Sequence, residues 1–215
     1  MSSRSNANTV IVGYGDSITL SMEQSAEKKW LTRLGRSLAE ALPGRNFTMV
    51  NSGVGGETSR EGLARIEPAV LAHQPDVVLV EFGGNDATHD PARHVPVTEF
   101  QANLETMRAA IVDRAKAEMA LLVFPPVIDE WHCWSNEAFY KPYGGLDGCL
   151  EQYRQATREF ARTHRLVLAD IDRALREAGK KDGNGRYIKP DGVHLTDDGN
   201  QVVAETVHRA LVETI

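Results

Sequence analysis

Four short segments hold residues whose types and spacing could do chemistry. Gly15-Asp16-Ser17-Ile18-Thr19-Leu20 places a serine hydroxyl directly after an apolar run. Asn51-Ser-Gly-Val-Gly-Gly56-Glu-Thr-Ser lets the backbone approach a ligand closely, so a backbone N–H there can meet an oxyanion. Gly83-Gly84-Asn85-Asp86 offers a carboxamide, a neutral donor that stabilises an oxyanion without titrating. Asp191-Gly-Val-His194 can fold so that the carboxylate meets Nδ1 of the imidazole and leaves Nε2 free. Taken singly, each is an ordinary turn. Serine caps helices, and Asn or Asp bonds its own backbone. Ile18 and Thr19 also exclude the Gly-x-Ser-x-Gly nucleophile elbow. Taken together they supply a nucleophile, donors for an oxyanion, a base and its orienting carboxylate, the parts acyl transfer needs.

These parts act together only if the chain brings them to one place. Near-continuous apolar runs cover Thr9 to Tyr14, Phe47 to Val50, Asp76 to Phe82, Met119 to Phe124 and Leu166 to Leu168. Such runs fit parallel strands covered on both faces. Amphipathic stretches alternate with them: Ala26 to Ala41, Glu61 to Ala72, Phe100 to Ala117, Leu150 to His164 and Asp198 to Val212. Strand and helix in regular order predict βαβ units and a doubly wound sheet. Ligands bind such sheets outside the carboxyl ends of the strands, where three of the four segments fall. With 215 residues and no linker, repeat or low-complexity stretch, residues 1–215 read as a single α/β domain.

Composition narrows the partners. A formal charge of -6 without a Lys/Arg cluster argues against nucleic acid. The polar N-terminus has no apolar core of a signal peptide, so a cytoplasmic location is expected. No apolar run approaches the length of a spanning helix, so no stable membrane insertion is expected. Oligomeric state is left open, a homo-oligomer included. Cys133 and Cys149 lack zinc-type spacing, and a bridge between them is the minority expectation. His89, Asp90 and His94 lack diagnostic metal spacing, and a solvated loop is expected there. Asp16 should brace its turn rather than react, and His132 beside Cys133 should not form a second pair. The segment Asp129 to Cys149 concentrates Trp131, Trp134, Phe139, Tyr140 and Tyr143 beyond the fourth strand. Trp131 and Trp134 are the candidate substrate contacts there, with Gly144, Gly145 and Gly148 as hinge points.

The four segments, in this order and spread over most of the chain, resemble the four sequence blocks of SGNH/GDSL hydrolases. The resemblance assigns Ser17 as nucleophile and His194 and Asp191 as base and acid. It assigns the oxyanion hole to the Ser17 N–H, Gly56 and Asn85, with Gly55 or Gly53 as weaker matches to Gly56. It implies a three-layer α/β/α, flavodoxin-like fold with five parallel strands. It further implies hydrolysis of carboxylic esters with no metal and no organic cofactor. Short-chain acyl esters of small molecules or sugars are the expected substrates, and a thioesterase or lysophospholipase of the same family is the alternative. A flavodoxin-like module binding an anion or flavin is the rival outside enzymology; it leaves Asp191 and His194 without a role.

Overall fold

The computed structural model describes residues 8–212. Its centre is a sheet of five parallel strands: β1 (Asn8–Gly15), β2 (Asn46–Gly53), β3 (Val77–Glu81), β4 (Glu118–Leu122) and β5 (Val167–Ala169). Their order is β2-β1-β3-β4-β5, the flavodoxin-like order. The chain steps one way from β1 to β2 and the other way from β2 to β5. Because such crossovers are right-handed, reversing direction moves the connecting helices to the opposite face. Helix α2 (Trp30–Ala41) accordingly packs with α8 (Asp197–Val212), which packs in turn on α7 (Ile171–Asp182), while α3 (Ser59–Ala64) and α6 (Leu146–His164) each pack on α5 (Val97–Arg108). The result is the expected three-layer sandwich. β3 is buried along its whole length, which explains its unbroken Val-Val-Leu-Val run.

Three helices depart from expectation for identifiable reasons. The Ala26–Ala41 stretch divides at Lys29, whose extended backbone separates a 3₁₀ turn, Ala26–Lys28, from α2. The Glu61–Ala72 stretch divides into α3 and the short α4 (Ile66–Ala69). Pro68 is the cause, since it has no N–H to offer the Ala64 carbonyl and its ring crowds that carbonyl. Beyond Arg108 the third stretch continues as a π turn, Ala109–Arg114. Helix α7 lies outside the expected stretches; Asp170 caps it by accepting from Arg173 N–H at 3.0 Å.

The strand ends meet in register. Gly15 pairs with both Gly53 and Glu81, so the loops after β1, β2 and β3 leave from one point. Gly15 has no alternative there: a Cβ would stand 2.3 Å from the Glu81 carbonyl and from Thr19 Oγ1. Cys133 is exposed and Cys149 buried, and both are free, so the bridge does not form.

Candidate active site

Ser17 is the first residue of a one-turn helix, α1 (Ser17–Leu20), so its N–H has no intrahelical acceptor. Asp16 caps this turn, accepting from Ile18 N–H at 2.9 Å. The loop after β2 is tied to it: Val54 N–H donates to the Gly15 carbonyl at 3.0 Å. Arg65 reaches the same carbonyl at 3.3 Å and pairs with Glu57 at 2.6 Å. Gly56 sits in that loop at φ +80°. Among the described residues, the N–H groups of Ser17, Gly55 and Gly56 make no hydrogen bond within the protein.

Asp191 and His194 sit on a tight turn between α7 and α8. Lys189 N–H donates to the His194 carbonyl at 2.7 Å, and Ile128 N–H donates to the Gly192 carbonyl at 2.8 Å. Lys189 also pairs with Glu23 at 2.8 Å, clamping the turn to the segment after α1. Asp191 Oδ1 accepts from the N–H groups of Val193 and His194, each at 2.9 Å. Its other oxygen meets His194 Nδ1 at 2.8 Å, and His194 Nε2 lies 3.0 Å from Ser17 Oγ. Partial burial raises the Asp191 carboxyl, but the two N–H groups and the His194 ring outweigh it and hold it below the ordinary carboxylate range.

Asn85 lies across the cleft. Its amide donates to Asp16 Oδ2 at 2.9 Å and to the Glu57 carbonyl at 3.1 Å, which fixes its plane. Asp86, just beyond, is buried and accepts from Ser59 N–H and Oγ, while Asn103 donates to that hydroxyl at 2.9 Å. Burial, opposed by the Ser59 bonds, pushes Asp86 up to about 7. Ser59, Asn103 and Asp86 thus brace the loop that presents Asn85, a support with no signature in the sequence beyond Asn-Asp.

Ser17, Gly55, Gly56, Asn85 and His194 line a cavity of about 430 Å³. Its walls are apolar, with Met22, Phe124, Val127, Leu146 and Leu150 prominent. Gly53 lies outside it, closed against the Leu20 backbone. Of the two tryptophans, Trp134 lines the cavity and Trp131 does not. Trp131 is half exposed and lies over Gly185 instead, because the turn Ile128–Trp131 directs it away from the cleft. The aromatic segment is anchored at several points. Tyr140 is buried and donates to the Ala87 carbonyl at 3.0 Å, and Asp129 accepts from Ser135 Oγ and Leu146 N–H. At Gly145 a Cβ would stand 2.2 Å from Asp129 Oδ2, so the glycine serves close packing. Arg154, fully buried, donates to the carbonyls of Phe124 and Pro125 and pairs with Asp147, fixing the wall after β4. His132 accepts from Trp134 N–H through Nδ1, and burial lowers its pKa. His89 packs on Trp134 and Tyr140, and His94 on Phe139; among the described residues no three His, Cys, Asp or Glu side chains form a metal-ligating group. No helix among them is long and apolar enough to cross a membrane.

A flavodoxin-like sheet carrying hydroxyl, imidazole and carboxylate in one hydrogen-bonded chain at its carboxyl edge has the layout of an acyl-transfer enzyme. Residues 14–202 match the GDSL-like lipase/acylhydrolase family. An arylesterase of Vibrio mimicus is 32% identical over 99% of this chain and 93% of its own length. An isoamyl acetate-hydrolyzing esterase 1 homolog of Bos taurus is 30% identical over 88% of this chain and 76% of its own. Among solved structures, a lipase/acylhydrolase of Enterococcus faecalis superimposes with a TM-score of 0.75, at 25% identity and 94% coverage of both chains. The chain belongs to the GDSL-like lipase/acylhydrolase family and is a carboxylic ester hydrolase.

Proposed function

We propose that this esterase cleaves short-chain acyl esters of small apolar or aromatic alcohols through Ser17, His194 and Asp191. The observation that carries the reading is the unbroken chain from Ser17 Oγ to His194 Nε2 and from His194 Nδ1 to Asp191, opening into one apolar cavity. His194 takes the Ser17 proton as Oγ adds to the ester carbonyl. The oxyanion accepts from the Ser17 N–H, the Gly56 N–H and the Asn85 amide, whose hydrogen on the Glu57 carbonyl turns to the oxyanion while the one on Asp16 stays in place. As the tetrahedral intermediate collapses, His194 returns the proton to the departing alkoxide, leaving an acyl-enzyme. Water then attacks with His194 as base, releasing the carboxylic acid. Asp191 holds the ring and stabilises its cation.

Apolar walls favour the substrate class, since a heavily hydroxylated alcohol would leave its hydroxyls without partners there. The names of the arylesterase and isoamyl acetate esterase relatives point the same way. A panel crossing acetyl, butyryl and long-chain acyl groups with aryl, branched-alkyl and sugar alcohols tests the reading. Acetyl esters of aryl and branched alcohols should rank first. Trp134→Ala should reorder the alcohols more than the acyl lengths, while Trp131→Ala should leave the ranking alone. Long-chain esters as best substrates, with Trp134→Ala shifting only the chain-length optimum, would reassign the cavity to the acyl chain.

Asn85→Ala should lower kcat by about 100- to 1,000-fold with little change in KM, because an oxyanion donor strengthens its bond only in the transition state. Pre-steady-state and steady-state rates on an aryl acetate read this directly. A change confined to KM would make Asn85 a substrate-binding residue instead.

A further inference from the structure

Glu81 closes β3 directly behind the nucleophile turn and is fully buried. Its Oε2 accepts from Thr19 Oγ1 at 3.0 Å, while Oε1 has no well-formed donor among the described residues. The remaining group facing this carboxyl is Asp16, through its own carboxyl and N–H. Asp16 is also fully buried. Among the described residues no Lys or Arg pairs with either carboxyl. Asp86 lies nearby on the Asn85 loop, and His194 faces Asp16 from the C-terminal turn. Arg65 reaches the Gly15 carbonyl and lies over the Tyr14 ring, its charge paired with Glu57. Two fully buried carboxyls brought together by the Gly15–Glu81 pairing, with no Lys or Arg to compensate them, cannot both be ionised, so the pair shares a proton.

The hydrogen bonds say where that proton sits. Asp16 already accepts two N–H donors, from Ile18 and Asn85, both at 2.9 Å. Glu81 accepts only one hydroxyl among well-formed bonds. The anion belongs where the donors are, and the neutral acid is Glu81. Burial, and then the Asp16 carboxylate, push Glu81 well above its ordinary range. We propose that Glu81 is a positioning residue held as the neutral acid, whose O–H donates to the Asp16 carboxylate and so fixes both the Ser17 turn and the Asn85 amide. This rests on the reading that Ser17 and Asn85 attack the ester and bind its oxyanion.

The consequence is a requirement for a proton rather than a charge at position 81. Glu81→Gln keeps a donor toward Asp16, whereas Glu81→Met keeps the length and removes the donor. Glu81→Gln should stay within a few-fold of the wild-type kcat. Glu81→Met should lose about 10- to 100-fold in kcat with KM little changed, less than removing the oxyanion donor outright. In the wild type, raising the pH removes the shared proton, so turnover should fall on the alkaline side; in Glu81→Gln that fall should vanish. Infrared spectra taken alkaline of the Asp86 titration at about 7, where Asp86 is ionised, should show a protonated-carboxyl band that Glu81→Gln removes. A merely structural role would move thermal stability and leave the pH profile unchanged. Glu81→Gln as slow as Glu81→Met, unable to fold, or with an unaltered alkaline limb would overturn the proposal; if Glu81→Met does not fold, the Glu81→Gln profile and band decide. An inactive Ser17→Ala beside a Glu81→Met of wild-type kcat would remove only the role of Glu81. An active Ser17→Ala would remove the triad, and this role with it.

Discussion

Ser17→Ala should reduce ester turnover by about a millionfold, because nucleophile, base and orienting acid work as a unit. The substitution removes one oxygen from a turn that Asp16 already caps, and the bond it loses, to His194 Nε2, contributes about 1 kcal/mol. Folding should therefore survive, with a melting temperature within a few degrees of the parent's. A fluorophosphonate reacts only with an activated hydroxyl, so the parent should gain one adduct mass, mapped by peptide digestion to Ser17. The variant should gain none. Burst kinetics on an aryl acetate would show the acyl-enzyme in the parent and its loss in the variant. Normal turnover in folded Ser17→Ala, or an adduct on another hydroxyl, would move the chemistry elsewhere in the cavity.

How legible this was in the sequence depended on whether a residue's partners are local. β3 announced itself because burial on both faces demands an unbroken apolar run, and its end is marked by Gly83-Gly84. Asp191 and His194 are three apart, so their contact is a property of one turn and could be read as such. The half-buried β2 gave a shorter signal than its true span, since polar residues alternate along it. Trp131 and Trp134 are equivalent on the page of letters; only the path of the turn after Ile128 decides which one faces the cavity. Glu81 was the least legible. A lone acid in an apolar run looks like a strand end, and its meaning comes from Asp16, 65 positions away and adjacent only because β1 and β3 pair. Pro68 is a readable signal of the α3–α4 break: a proline inside a helical pattern sets a boundary one turn before it.

Asp191→Asn is the sharper test of how the triad works, because it alters a proton's position and little else. Asp191 Oδ1 accepts the N–H groups of Val193 and His194, and an asparagine carbonyl can accept both in its place. The turn should therefore persist, and the stability change should stay within about 1 kcal/mol. The other oxygen is the one that matters. At 2.8 Å from His194 Nδ1, it accepts that nitrogen's proton and leaves Nε2 bare toward Ser17 Oγ, 3.0 Å away. An amide NH₂ in the same place donates instead, so Nδ1 must become the acceptor and the proton moves to Nε2. The imidazole then aims a hydrogen at Ser17 and has no lone pair with which to take one. It also loses the negative charge that stabilises the imidazolium formed during attack. Asp191 is 44% exposed at the side chain, so solvent screens part of that charge, and the tautomer is the larger effect. The expected loss is about 10,000-fold in kcat with KM nearly unchanged. Nitrogen-15 shifts of the His194 ring should report the switch, with the proton on Nδ1 in the parent and on Nε2 in the variant. A variant whose tautomer switches while its turnover stays near normal would show that His194 is not the base.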